Sequence, residues 1–97
     1  MSDPIEIQHD QSGDRGRYRA RLDPTHQAEM TYIRRPDNAI IINHTGVPPA
    51  FEGRGIALQL VKRAVADARA GGFKIVPQCP YVAVQFRRHH DWDDLLA

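Results

Sequence analysis

Val47-Pro48-Pro49-Ala50-Phe51-Glu52-Gly53-Arg54-Gly55-Ile56-Ala57 joins two segments of opposite character. Before it lies a run of β-formers, Asn38-Ala39-Ile40-Ile41-Ile42-Asn43-His44-Thr45. After it, Ile56, Leu60, Val61, Ala64, Val65 and Ala68 recur at helical spacing, with Lys62, Arg63, Asp67 and Arg69 on the opposite side. That is the pattern of an amphipathic helix packed on one face. Gly71-Gly72 supplies the left-handed cap that ends it. Phe73-Lys74-Ile75-Val76 then reads as a short strand stopped by Pro77. Strand, helix and strand make a βαβ unit, and a connection of this length makes the strands parallel. The unbroken Ile40-Ile41-Ile42 run predicts a central strand covered on both faces.

Moving outward, Ile5 to His9 alternates apolar and polar residues as a first strand, and Asp10 to Asp14 is turn chemistry. A second strand is expected from Arg17 to Leu22 and a third from His26 to Arg34, separated by Asp23-Pro24-Thr25. Arg35-Pro36-Asp37-Asn38 turns the chain into the fourth strand, Ala39 to Val47. Near the C-terminus Pro80 suits a helix start. Val82, Phe86 and Val84 form its apolar side, and the helix continues or restarts through Trp92, Leu95 and Leu96. The expected architecture is one mixed α/β (α+β) domain over residues 1–97. It has an antiparallel meander of four strands, a crossover helix, a parallel fifth strand and a C-terminal helix.

Composition narrows the function classes. A length of 97 residues supports one modest core. A net charge of +1 offers no broad field for nucleic acid or a membrane surface, and no aromatic-basic stripe points to nucleic acid. No apolar run approaches the roughly 20 residues needed to span a bilayer. Met1-Ser2-Asp3-Pro4 lacks the charged and apolar regions of a signal peptide. The single cysteine, Cys79, excludes an internal disulfide and a multi-cysteine zinc site, and fits a reducing, cytoplasmic location. The histidines lack metal-ligand spacing, so no metal is expected.

The Gly53-Arg54-Gly55 loop opens directly onto a helix. A helix start carries unpaired N–H groups and the positive end of the dipole, and glycines let an anion reach the main chain. The loop lacks the Gly-Lys-Ser/Thr ending of an NTPase loop. It also lacks the third glycine and the acidic residue of a dinucleotide fold.

The stretch resembles motif A of the GNAT acetyltransferase superfamily, Gln/Arg-x-x-Gly-x-Gly/Ala preceded by Val-x-Pro. His44-Thr45-x-Val47-Pro48, Glu52-Gly53-Arg54-Gly55-Ile56 and Pro77-x-Cys79-Pro80-Tyr81-Val82 together resemble a small subfamily of GNAT-like N-acetyltransferases of about this length. The resemblance runs from about Ala39 to Leu96. It implies acetyl-CoA as cosubstrate, with the pyrophosphate on the backbone N–H groups of Gly53, Arg54, Gly55, Ile56 and Ala57. The pantetheine arm would lie beside Val47. Glu52 stands where the superfamily usually has Gln or Arg, and its carboxylate repels a pyrophosphate unless a base such as Arg54 compensates. The N-terminal helices that usually shape an acceptor pocket have no counterpart in this length.

Three residues carry the chemistry in this reading. Cys79 follows the fifth strand, and its thiolate could accept the acetyl group, or it is a small buried hydrophobe. His44 ends the fourth strand and could serve as base for an amine or for Cys79, or make one structural hydrogen bond. Tyr81 stands near where the superfamily often places a tyrosine as general acid, or it packs the helix start. Arg87-Arg88-His89-His90 could meet the CoA 3′-phosphate or form a solvated face. The expected function is transfer of an acetyl group to an amine, borne by a small molecule or a protein. The competing expectation is a CoA-binding or protein-interaction module with little catalysis.

Overall fold

The computed structural model describes residues 5–97, so the stretch read for signal-peptide character, Met1 to Pro4, lies outside the described residues. Four strands precede the long helix: β1 (Gln8–Ser12), β2 (Arg15–Asp23), β3 (His26–Arg35) and β4 (Ala39–Gly46). A 3₁₀ turn at Pro49–Phe51 leads through the glycine loop into α1 (Ile56–Gly71). β5 (Lys74–Pro77), α2 (Pro80–Arg88) and a 3₁₀ segment, His90–Leu95, complete the chain. The strands form one sheet in the order β1-β2-β3-β4-β5. β1 to β4 are antiparallel neighbours, and β4 and β5 are parallel. The expected meander and βαβ unit are both present.

The first strand differs from expectation. It starts at Gln8 rather than Ile5 and runs through Asp10-Gln11-Ser12, leaving Gly13-Asp14 as the turn. Ser12 pairs with Arg15 across this two-residue loop, so the ladder reaches the turn itself. The alternation of Ile5 and Ile7 reports packing instead, since both lie partly buried against the core without belonging to a strand.

Alternation in the sheet puts one face against the helices. Tyr18, Ala28, Met30, Ile42 and Ile75 are fully buried there, opposite Leu60, Val61 and Ala64 of α1 and Val82 of α2. Each fully buried aliphatic side chain contributes about 1.5–3 kcal/mol relative to exposure. The opposite face carries Arg15, Arg17, Arg19 and Arg21 of β2 with Thr31 and Ile33 of β3, all exposed or half-buried. Ile41 is therefore half-buried between two buried neighbours. The two-sided cover expected from the isoleucine run is not present, because the apolar side chains of both helices gather in the single cluster on one face.

Two details of β4 prepare the site. Thr31 pairs with His44 but Tyr32 pairs with Ile42, so Asn43 is an extra residue in the ladder, a β-bulge. The bulge reverses the phase of the strand. Thr45, opposite Met30, joins the helix-covered face, and His44 points to the open face. The parallel pairing with β5 stops at Ile42 opposite Pro77. Cys79 N–H adds one last bond to the Ile42 carbonyl at 2.8 Å, and the rest of β4 diverges from the chain leading into α2.

The β1 end of the covered face holds a polar cluster. Tyr18 Oη donates to Asp67 Oδ2 of α1 at 2.8 Å, and Arg63 Nε donates to the same carboxylate at 3.2 Å. Tyr32 Oη bonds His9 Nε2 at 2.7 Å and accepts from Gln11 Nε2 at 3.0 Å. The His9 and Tyr18 rings stack with centroids 4.2 Å apart. At the C-terminus Trp92 packs edge-on against Phe86, and Arg69 binds Asp94 at 2.8 Å. Ala97 N–H then reaches the Ile75 carbonyl at 3.0 Å, tying the tail to β5.

Candidate active-site groove

Where β4 and β5 part, a groove of about 410 Å³ opens between the glycine loop, the end of β4 and the start of α2. Thr45 lines it from β4, Val47 from the chain just beyond that strand, Tyr81 from α2, and Gly53, Gly55, Ile56 and Ala57 from the loop and first turn of α1. Phe51 and Glu52 complete the wall. The cofactor candidates Val47, Gly53, Gly55, Ile56 and Ala57 are thus gathered around one space. The Arg54 side chain is not; its guanidinium lies over the Phe51 ring, 5.0 Å from the centroid.

The backbone explains why this loop suits an anion. Helices are usually capped by Ser, Thr, Asp or Asn, whose side-chain oxygen takes an orphan N–H. α1 instead starts from Gly55 at φ 74°, with no side-chain cap and no acidic residue in its first turn. The first amide of α1 engaged along the main chain is Gln59 N–H, on the Gly55 carbonyl at 3.1 Å. Among the residues before it, Gly53, Gly55, Ile56 and Ala57 line the groove. Gly53 also has positive φ, 81°. A left-handed residue at these positions is cheap only for glycine.

Cys79 is the N-cap residue of α2 and only 7% exposed. Its thiol donates to Thr45 Oγ1 at 3.6 Å, so it sits behind the side chain that lines the groove. Burial pushes this thiol up. The Thr45 hydroxyl and the N–H groups of Val82, Tyr81 and Thr45 outweigh burial and hold it below the ordinary thiol value. A helix N-terminus is a setting that favours thiolate. Tyr81 is half-buried on the groove wall. Burial raises its pKa, partly offset by Arg88 and a bond with Gln85, so the phenol keeps its proton at neutral pH.

His44 is not part of this group. It is exposed on the open face, with its Nε2 3.2 Å from where a Cβ on Gly46 would stand. The Cys–His contact considered from the sequence is replaced by a Cys79–Thr45 contact, and the bulge at Asn43 is the cause. Thr45 and Phe51 are the lining residues that the sequence reading missed. Phase after a bulge cannot be read from alternation, though Thr45 stood inside the His44-Thr45-x-Val47-Pro48 motif. The Arg87-Arg88-His89-His90 run is split: Arg87 and Arg88 end α2, while His89 stacks on Trp92 with centroids 4.1 Å apart.

Larger hollows lie elsewhere, one of about 490 Å³ beside Arg17 and Ile33 and one of about 600 Å³ beside Arg19 and Pro24. Neither adjoins a helix start or a thiol. No helix among the described residues is long and apolar enough to cross a membrane.

Residues 17–95 match the family model described as GCN5-related N-acetyl-transferase. Protein NATD1 of Gallus gallus and Protein NATD1 of Mus musculus are each 36% identical over 80 residues, covering 81% of this chain and 71% of theirs. The NMR solution structure of a GCN5-like candidate N-acetyltransferase from Staphylococcus aureus aligns with a TM-score of 0.70 at 26% identity. That match covers 93% of this chain and 87% of the other.

Proposed function

Because the chain belongs to the GCN5-related N-acetyltransferase family, we propose that it transfers an acetyl group from acetyl-CoA to an amine on a small molecule or a protein. One observation carries this reading: α1 begins at an uncapped, left-handed glycine beside a groove that also reaches Thr45 and Tyr81. The amides around Gly53, Arg54, Gly55, Ile56 and Ala57 hold the pyrophosphate, and Val47 lies along the pantetheine arm. Glu52 at the groove wall repels the anion, and the amides and the helix dipole offset it. Its single thiol fits a reducing, cytoplasmic setting.

Two routes suit the side chains. In the first, the Cys79 thiolate attacks the thioester carbonyl and Tyr81 gives its proton to the departing CoA sulfur. The acceptor amine then attacks the Cys79 thioester and frees the thiolate, and the proton it loses returns to Tyr81. In the second, the amine comes in from the open face, gives its proton to His44 and attacks acetyl-CoA directly, and Tyr81 gives its proton to the departing CoA sulfur. The bare outer face of the sheet favours a second reading, a CoA-binding module with little catalysis, since no described element walls in an acceptor there.

Calorimetry with acetyl-CoA, CoA and ATP tests the binding. Both CoA species are expected to bind and ATP to bind more weakly; no binding of either CoA species would sink both readings. Intact mass after exposure to acetyl-CoA separates the routes. A thiol-labile acetyl adduct that vanishes in Cys79→Ala marks the covalent route, and transfer lost in His44→Ala without an adduct in the parent marks the direct one. Binding with no transfer to a panel of amines leaves the module reading.

A further inference from the structure

The uncovered face of the sheet is not uniform. Directly paired residues lie side by side on one face, so the ladder registers define two rows across it. The first is Asp10, Arg17, Thr31 and His44. The second is Ser12, Arg15, Ile33, Ile41 and Val76. The hollow of about 490 Å³ lies against both rows, with Asp10, Arg15, Arg17, Thr31, Ile33 and Asn43 on its lining. Within it Thr31 Oγ1 donates to Asn43 Oδ1 at 2.7 Å. Asp10 accepts from Arg19 Nε at 2.6 Å and lies 3.9 Å from Arg17. Arg15 is exposed and has no carboxylate partner among the described residues. The face thus offers unmatched positive charge at β2, and beside it the half-buried aliphatic side chains of Ile33, Ile41 and Val76.

We propose that this face docks an acidic, partly apolar segment of a protein, and that the acetylated amine belongs to that segment. The inference rests on the amine transfer proposed above and adds the chemistry of its acceptor. Carboxylates of the segment meet Arg15 and Arg17, whose planar guanidinium groups suit bidentate contact. Asp10 already shows one carboxylate shared between two arginines of β2. An apolar side chain of the segment covers Ile33 and Ile41. Neighbouring strands stand about 4.8 Å apart, so the backbones of Arg17 and His44, two strands apart, are about 10 Å from each other. That is about three residues of extended chain. A segment with a carboxylate on Arg17 therefore brings a lysine a few residues further along to His44, the base of the direct route. Nucleic acid suits the face less well. Neither row carries a Phe, Tyr or Trp on which a base could stack, and the aliphatic row offers a phosphate nothing.

Fluorescence anisotropy with three labelled probes tests the docking. They are a short glutamate-rich peptide with isoleucines and one lysine, its glutamine-for-glutamate counterpart, and an oligouridylate of matching charge. The full chain should bind the glutamate peptide about tenfold more tightly than the glutamine peptide, as two exposed ion pairs allow. Arg15→Gln should narrow that gap to about threefold, and Arg15→Gln/Arg17→Gln should close it. Circular dichroism and unchanged acetyl-CoA affinity show that the variants fold. With acetyl-CoA present, mass spectrometry should find the acetyl group on the lysine of the glutamate peptide. Arg15→Gln should raise KM for that peptide without changing kcat, and should leave the glutamine peptide unaffected. Equal binding of the two peptides by the parent chain overturns this inference and leaves the proposed function standing. Tighter binding of the oligouridylate than of the glutamate peptide also overturns it. So does a glutamate peptide that binds but stays unmodified while another amine is acetylated. Transfer to no amine at all overturns the proposed function, and the acceptor assignment with it.

Discussion

The two ends of the helix-covered sheet face are both polar, and they are built on opposite plans. At the β1 end, Tyr18, Tyr32, His9, Gln11, Arg63 and Asp67 share their hydrogen bonds with one another. At the β4–β5 end, a helix starts without a side-chain cap and a thiol stands behind a groove wall. Among the described residues no buried side-chain nitrogen or oxygen lacks a partner, so the difference lies in backbone donors and in space. A polar cluster that saturates itself holds structure together. One that leaves donors facing a cavity is available to a ligand. Substitutions at the first end should therefore change stability and spare acetyl-CoA affinity, and substitutions at the second should do the reverse.

The strongest test of that division is Gly16→Val. A Cβ at Gly16 would stand 2.0 Å from Tyr32 Cζ, and Tyr32 is pinned by His9 and Gln11. The cost should be about 3 kcal/mol, the upper end of typical overpacking. Urea unfolding should show it, and the folded fraction should bind acetyl-CoA as before. Gly55→Ala probes the other end. Its φ of 74° makes any Cβ strained, and the added methyl intrudes on the anion's approach. Acetyl-CoA affinity should fall about tenfold, about 1.4 kcal/mol by calorimetry. If Gly55→Ala destabilised the fold heavily and left affinity untouched, the two ends would not differ as described.

Tyr18→Phe should cost about 1 kcal/mol, since Asp67 keeps Arg63 but loses one donor. Thermal melting reads this loss, and acetyl-CoA binding should not move. The smallest effect is a pH dependence centred on His9. Burial lowers its pKa, Asp67 pulls it partly back and Arg63 lowers it again. The unfolded chain takes this proton near 6.5, while the folded chain takes it only at lower pH. Between those values the unfolded state binds more protons, so stability falls as pH drops below about 6.5. The urea midpoint followed from pH 7 to 5 should fall less steeply in His9→Gln, which keeps a donor toward Tyr32. An unchanged slope would remove His9 from the cluster's energetics.

Much of this arrangement is legible in the sequence because local signals agree with the fold. The Ile56–Gly71 helix, its glycine cap and the parallel strand after it follow from period and punctuation alone. The groove's loop residues follow from the same stretch. What local pattern could not convey was phase and cover. Ile5 and Ile7 alternate like strand residues because they pack on the core, yet they lie outside the ladder. Ile41 continues an apolar run although its face is uncovered. The polar cluster was invisible because Tyr18, Tyr32 and Asp67 come from distant segments. The Cys79 partner was misread for the same reason that Thr45 was overlooked, a bulge that nothing in Asn43-His44-Thr45 announces.

That bulge works like a frameshift in the reading of side chains. Upstream of Asn43 the even-numbered residues of β4 face the helices; downstream the odd-numbered ones do. One inserted residue thus sets which residue of the strand meets the groove, Thr45, and which meets the outer face, His44. Were Asn43 paired in the ladder instead of bulged out, plain alternation from Ile42 would turn His44 inward and Thr45 outward; deleting Asn43 should leave His44 outward and Thr45 inward.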